Sequence, residues 1–245
     1  MVELPAIEVV NLQVAYGSNL VLDSVSLAIE QKKITGVIGP NGAGKSTFLK
    51  AVLGLVPVLA GEIHVLGQKV AKSQKRISYI AQRSSIDWDF PVTVRDLVTT
   101  GSYGRLGWIR RPGAKEYEQV TNALNRLEIL ELEHCQIGEL SGGQQQRVFL
   151  ARALVQDAPV YFMDEPFNGI DIKTEEVIVG LIRQLRDEGK SFVIVHHDLA
   201  TAGKYMDSIA LLNRRIIAFG PTGETLSRKN LELVYGGSFT FLDQE

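Results

Sequence analysis

Three short stretches of this chain have residue types and spacings that do chemistry. The first is Gly39-Pro40-Asn41-Gly42-Ala43-Gly44-Lys45-Ser46-Thr47. It fits G-x-x-x-x-G-K-[ST], the spacing of a phosphate-binding loop. Glycines without a Cβ let the backbone curl until successive N–H groups face an anion. Lys45 adds a point charge for the β- and γ-phosphates, and the Ser46 hydroxyl can ligate Mg²⁺. A following helix points its positive end at the same phosphates. Alone, this loop specifies only a nucleoside triphosphate. The second stretch is Asp164-Glu165, directly after the apolar run Val160 to Met163. Ligand groups of open α/β sheets lie at the carboxyl ends of strands. There Asp164 suits a Mg²⁺ partner of the loop, and Glu165 is placed to polarise an attacking water. The third is Leu140-Ser141-Gly142-Gly143-Gln144. Ser141 and Gln144 have capping-box spacing, so bare backbone N–H groups open a helix and form a second anion site.

Elements must position these groups. Ile34, Val37 and Ile38 form a short apolar run suited to a buried strand before the loop. Phe48, Leu49, Val52 and Leu53 make the stripe of a helix after it, closed by Gly54. Upstream, Ile7–Val14 reads as a strand, 16–19 as a turn, and Val25, Leu27 and Ile29 alternate as a half-buried strand. Gly61–Gly67 and Arg76–Ile80 read as further strands. From 83 to 157 the pattern turns helical. Thr93 and Asp96 have the form of a helix start, Tyr117, Val120, Leu124 and Leu127 fall on one helix face, and Val148, Phe149, Ala151 and Leu154 follow Gln144. Asp171 can cap a helix with the stripe Val177, Ile178, Leu181, Ile182 and Leu185, stopped by Gly189. Phe192–Val195 is a buried strand ending at His196-His197-Asp198. Ile209–Leu212 and Ile216–Phe219 read as a hairpin, with a short helix and a polar end beyond. The predicted class is α/β: a mainly parallel sheet flanked by helices, with an N-terminal antiparallel β-subdomain and an inserted helical block. The α/β core with its β-subdomain spans 1–82 and 158–245, and the helical block spans 83–157.

Three further residues have two readings each. Tyr16 is a turn aromatic or a platform for a purine ring. Gln82 is a solvated loop residue or one that reaches a ligand from a strand end. His197 is structural, or a γ-phosphate sensor on the carboxyl edge that carries Asp164.

Composition bounds the function. The 245 residues are 45% hydrophobic and 22% charged, the balance of an ordinary globular protein. A net charge of −2 offers no argument for nucleic acid as a partner. The single cysteine, Cys135, forms no intrachain disulfide and suits a reducing compartment. The start, Met-Val-Glu-Leu-Pro, has no signal-peptide pattern, and no apolar run approaches a membrane span. The four histidines give no metal-ligand spacing with Cys135, and the His134-Cys135 pair is expected to pack.

With these motifs in this order, the chain resembles the ATP-binding-cassette (ABC) ATPases over nearly its whole length. Gly39–Thr47 matches the Walker A loop, Gln82 the Q-loop, and Leu140–Gln144 the family signature in full. Val160–Asp164 matches Walker B with Glu165 as catalytic glutamate. Residues 168–171, ending in Asp171, fill the D-loop position, His197 matches the switch histidine, and Tyr16 the aromatic that stacks on adenine. Asn168-Gly169 departs from the usual Ser-Ala or Ser-Gly, and Ala81 from the usual proline. The resemblance implies ATP and Mg²⁺ as cofactors and a head-to-tail dimer of two copies. Each ATP then lies between Lys45 of one copy and Ser141–Gly143 of the other.

The stretches Gln82–Pro91 and Gly104–Pro112 are similar to the manganese/zinc/iron branch of bacterial ABC importers. That similarity implies a separate membrane permease, an external substrate-binding protein, and a place on the cytoplasmic face of the cell membrane. The alternative is a soluble ABC ATPase without transport, of the assembly-scaffold or DNA-maintenance type. Trp88, Phe90 and Trp108 either meet the permease or pack inside the helical block. Arg105, Arg110 and Arg111 are a solvated surface, or face the permease or anionic lipid.

Overall fold

Val160–Asp164 and Ser191–His196 are buried along their whole length in the computed structural model, which describes residues 4–107 and 110–236. Continuous burial marks strands covered on both faces. The strands are β1 (Ile7–Tyr16), β2 (Asn19–Ile29), β3 (Ile34–Ile38), β4 (Ala60–Val65), β5 (Gln68–Lys69), β6 (Ile77–Ile80), β7 (Val160–Asp164), β8 (Ser191–His196), β9 (Ser208–Asn213) and β10 (Arg215–Pro221). They form two sheets. One has the order β10-β9-β3-β8-β7-β6, and the other is β2-β1-β4-β5. In the larger sheet β9, β3, β8, β7 and β6 run parallel, with β10 antiparallel on the edge. The smaller sheet is antiparallel throughout. This is the predicted α/β arrangement.

Two apolar layers hold the sheets. Val193, Val195 and Phe162 face the small sheet and the helix Lys45–Val52. Their strand neighbours Phe192, Ile194, Tyr161 and Met163 face the opposite helices, including Gly142–Gln156 and Ile172–Asp187. The period of two along each strand divides its side chains between the layers. The described residues between 83 and 157 form helices and turns, with one isolated bridge between Thr93 and Gln136. Thr93 caps its helix as expected, accepting from the Asp96 N–H at 3.2 Å.

The helical stripes need adjustment. Val120, Leu124 and Leu127 are buried, but Tyr117, on the same predicted face, is 45% exposed. Tyr117 lies in the first turn of Ala114–Arg126. Val148, Ala151 and Val155 make the buried stripe after the signature, whereas Phe149 and Leu154 are only partly buried against it. His134 does not pack: its side chain is 85% exposed, while Cys135 lies against the core. The polar end beyond 236, and Trp108, lie outside the described residues.

Candidate active site

The register of the large sheet builds the site. Ile38 of β3 pairs with His196 of β8, and Asp164 of β7 pairs with Val195. The phosphate loop, the carboxylate pair and the histidine pair therefore leave the sheet at one level, on its carboxyl edge.

Local sterics shape the loop. A Cβ on Gly39 would overlap the Leu212 carbonyl of β9. Gly44 has φ +96° and abuts Leu22 of β2, so it needs glycine for both backbone and space. The small sheet thus packs on the loop directly, and the Arg214 N–H clamps it further by donating to the Ala43 carbonyl at 2.9 Å. Tyr16 is half exposed, two residues beyond Val14, which pairs with the same Leu22. Lys45 is buried, and its Nζ donates to the carbonyls of Gly39 at 2.7 Å and Pro40 at 3.0 Å. Burial lowers its pKa, opposed by the charges of Glu165 and Asp164.

Asp164 is buried beneath the loop and accepts a hydrogen bond from the Ser46 hydroxyl. Burial, then the neighbouring Glu165, raises its pKa; Lys50, Ser46 and Lys45 act against that. Glu165 follows in a left-handed conformation, φ +50°. That turn swings its carboxylate off the strand into three partners. Gln82 Nε2 donates at 3.0 Å and Asn168 Nδ2 at 3.1 Å, both to Oε2, while His197 Nδ1 lies 3.5 Å from Oε1. Gln82, Glu165 and His197 are thus brought together. Asn168 was singled out only as a departure from the D-loop pattern; its spacing three residues beyond Glu165 was the available signal.

Ser141 caps Gly142–Gln156 with the expected reciprocal box: Gln144 N–H to Ser141 Oγ at 3.4 Å, and Ser141 N–H to Gln144 Oε1 at 2.8 Å. Asp171 caps Ile172–Asp187 through Thr174 N–H at 2.9 Å and Thr174 Oγ1 at 2.8 Å, and these bonds hold its carboxyl below the usual range. A Cβ on Gly143 would come within 2.9 Å of Thr174 Oγ1 and 3.4 Å of Asp171 Oδ2. Asp171 therefore lies with the signature turn of its own chain. Among the described residues, no hydrogen bond or ion pair joins 141–144 to Lys45 or Ser46. Among the described residues, the loop at 39–47 and the turn at 141–144 are thus separate. Arg83, which sequence reasoning passed over, donates from Nε to Gln145 Oε1 at 2.8 Å and lies against Gly142.

His196 sits behind this edge, 3% exposed, against Phe167 at 5.5 Å, with both ring nitrogens unpartnered. Burial, reinforced by the adjacent His197, pushes its pKa down to about 4. The unfolded chain takes up this proton near pH 6.5 and the folded chain only near 4. His196 therefore leaves stability intact above 6.5 and removes it as pH falls towards 4, on the order of 2–3 kcal/mol. His196→Leu is expected to flatten the fall in melting temperature between pH 7 and 5. An unchanged slope would show that other groups carry it.

Among the described residues, no helix is long and apolar enough to cross a membrane, and no cluster of three or more His, Cys, Asp or Glu side chains is placed to hold a metal ion.

Residues 22–168 match the model of the ABC transporter family. The chain is 50% identical over 232 residues to the zinc transport system ATP-binding protein TroB of Treponema pallidum, covering 95% of this chain and 87% of that protein. It is 49% identical over 236 residues to the manganese transport system ATP-binding protein MntB of Bacillus subtilis, covering 96% and 94%. The dimeric structure of MJ0796, a bacterial ABC transporter cassette, superposes with a TM-score of 0.78 at 26% identity, covering 88% of this chain and 98% of that one. A phosphate loop, a hydrogen-bonded glutamate at the same sheet edge and this similarity agree: the chain belongs to the ABC transporter family and is one of its ATPases.

Proposed function

We propose that the chain is the ATP-hydrolysing subunit of a bacterial importer that moves manganese or zinc through a separate membrane permease. The Glu165 cluster carries the hydrolytic part. ATP occupies Gly39–Thr47, and Lys45 exchanges its two carbonyl partners for phosphate oxygens. Tyr16 offers its half-exposed ring to the adenine. Glu165 orients the attacking water and takes its proton, while Gln82, Asn168 and His197 hold the carboxylate in place. His197 also faces the γ-phosphate. The Ser46 hydroxyl, the Asp164 carboxylate and the Gln82 side-chain oxygen are hard donors that fit Mg²⁺. When bound, Mg²⁺ neutralises charge on the phosphates.

The separation of the two anion-binding turns supports a dimer. Ser141, Gly142, Gly143 and Gln144 of a second copy meet the phosphates held by Lys45, and the Asp171 segment lies at that junction. Residues 83–157 act as the helical signature subdomain between the nucleotide and the permease, on the cytoplasmic face of the membrane. An external substrate-binding protein delivers the cargo. The names and near-half identity of the TroB and MntB relatives support the metal cargo.

Vesicles holding the chain and its permease are expected to take up manganese or zinc on addition of ATP. Uptake of neither cation, with ATPase intact, refutes the cargo. Phe90, 61% exposed, suits permease contact, whereas Trp88 is partly buried, edge-on to Phe149 at 5.2 Å, with its Nε1 donating to the Arg83 carbonyl at 3.0 Å. Phe90→Ala should cut uptake about tenfold, the scale of an interface anchor, and spare ATPase measured without permease. Equal loss of both would place Phe90 in the fold instead.

A further inference from the structure

The Arg83 guanidinium is held in place but only partly engaged. Its Nε donates to Gln145 Oε1 at 2.8 Å, and Gln145, 4% exposed, is anchored in turn by its Nε2 donating to the Ile137 carbonyl at 3.1 Å. At the other end of the residue, Trp88 Nε1 donates to the Arg83 carbonyl at 3.0 Å, and the guanidinium carbon lies 6.0 Å from the centre of that ring. Among the described residues, the two terminal nitrogens have no hydrogen-bond partner and no carboxylate pairs with the guanidinium. An arginine fork offers donors on both of them.

Those nitrogens lie at the turn that opens the helix Gly142–Gln156. A Cβ on Gly142 would stand 2.6 Å from Arg83 Nη1 and 3.3 Å from Nη2, so glycine at 142 is what admits the guanidinium. The first turn of that helix has no acidic residue. The acid nearest the turn on its other side, Asp171, is engaged by the Thr174 N–H and hydroxyl. A helix start carries partial positive charge on bare N–H groups. A guanidinium beside it is repelled unless an anion is shared between them. Arg83 also lines a hollow of about 330 Å³ together with Gln82, Trp88 and Asn168, and none of the lining residues is acidic.

We infer that Arg83 is a further ATP-binding residue that acts across the dimer: its guanidinium, with the N–H groups at 142–143, takes the terminal phosphate of the nucleotide held by Lys45 of the second copy. The inference rests on the shared-site reading above and adds a charged side chain to it. A terminal phosphate offers several oxygens, enough for a planar fork and for backbone N–H groups at once. Arg83 directly follows Gln82, so the residue that meets the second copy's nucleotide and the one that holds Glu165 are adjacent in the chain.

The test measures ATP-dependent dimerisation by analytical ultracentrifugation, in a parent chain carrying Glu165→Gln. Adding Arg83→Gln is expected to weaken dimerisation about 10²-fold, about tenfold for each of two equivalent charged contacts. ATP binding by the dilute monomer should not change. Rising NaCl should weaken the parent dimer more steeply than the Arg83→Gln dimer, because a charged contact is screened and a packing contact is not. Dimerisation equal to the parent overturns the inference. Weaker dimerisation with the parent's salt dependence makes Arg83 structural and also overturns it. If Arg83→Gln does not fold, Arg83→Lys decides, since it keeps the charge and loses the fork. Dimerisation within about tenfold of the parent, with the parent's salt dependence, then supports the inference; a larger loss or a flatter dependence overturns it. ADP with inorganic phosphate in place of ATP tests the other source of the anion. Dimerisation as strong as with ATP, and lost in Arg83→Gln, would assign the guanidinium to free phosphate and overturn the inference. A parent chain that stays monomeric with ATP refutes the shared-site reading first, and this inference with it.

Discussion

Glu165→Gln should slow steady-state phosphate release by at least about 10²-fold, the scale of a lost general base, while ATP binding persists. The substitution keeps the shape of the side chain, so the left-handed turn at 165 and the Asn168 and Gln82 contacts have a near-isosteric group to hold. It removes the proton acceptor. It also removes the negative charge that raises the pKa of Asp164 and favours protonated Lys45. Less repulsion around the triphosphate follows, so ATP should be held more tightly as turnover stops. In the proposed dimer the uncleaved γ-phosphate keeps both copies engaged. Gel filtration with ATP is then expected to show a dimer for this variant and monomer for the same variant with ADP. Monomer under both conditions would count against the shared site; undiminished phosphate release would remove Glu165 from the chemistry.

Lys45→Ala should leave no measurable ATPase and weaken ATP binding about 10²-fold or more, in keeping with loss of charge-assisted hydrogen bonds to phosphate. Lys45 is the buried cation between the loop carbonyls and the two carboxylates. Without it, Asp164 and Glu165 face an incoming triphosphate with no interposed positive charge. The fold should survive, because Gly39 and Gly44 are shaped by Leu212 and Leu22, which the substitution leaves alone. Circular dichroism checks the fold and equilibrium nucleotide titration the binding. Retained wild-type turnover would refute the assignment of Gly39–Thr47 as the phosphate loop.

Much of this site was legible because its chemistry is local. A phosphate-loop pattern, a capped helix and an acid after an apolar strand each need only a few consecutive residues, so type and spacing single out Lys45, Ser46, Asp164, Glu165 and Ser141–Gln144 as candidates. The strands were legible for the same reason: a period of two, or a continuous apolar run, follows from burial on one face or both. Irregular backbone was not. The smaller sheet shifts register at Asn11, φ +49°, where the chain bulges and the inward phase moves from Val9 to Leu12. A non-glycine residue in a left-handed conformation has no composition signal strong enough to predict it.

Contacts between distant segments were also beyond the sequence. Tyr117 continued a helical stripe by spacing, yet its ring faces solvent, because a stripe is buried only as far as the neighbouring layer extends. Trp88 had two open readings, and its contact with Phe149 settles where the ring rests in this chain, while Phe90 two residues on is left exposed. Arg83 carried no motif, and its bond to Gln145 exists only because two segments 62 residues apart meet.

The sequence by itself determined which residues have the spacing of a phosphate-binding loop, which carboxylate pair follows an apolar strand, and that a second glycine turn opens a capped helix. Those properties are fixed by side-chain chemistry and short-range backbone geometry. Only the tertiary structure decided that Gln82, Asn168 and His197 converge on Glu165, and that, among the described residues, no hydrogen bond or ion pair joins the turn at 141–144 to Lys45 or Ser46. Each depends on the register of parallel strands and the packing of helices across them, and thus on long-range burial that no local window of sequence contains.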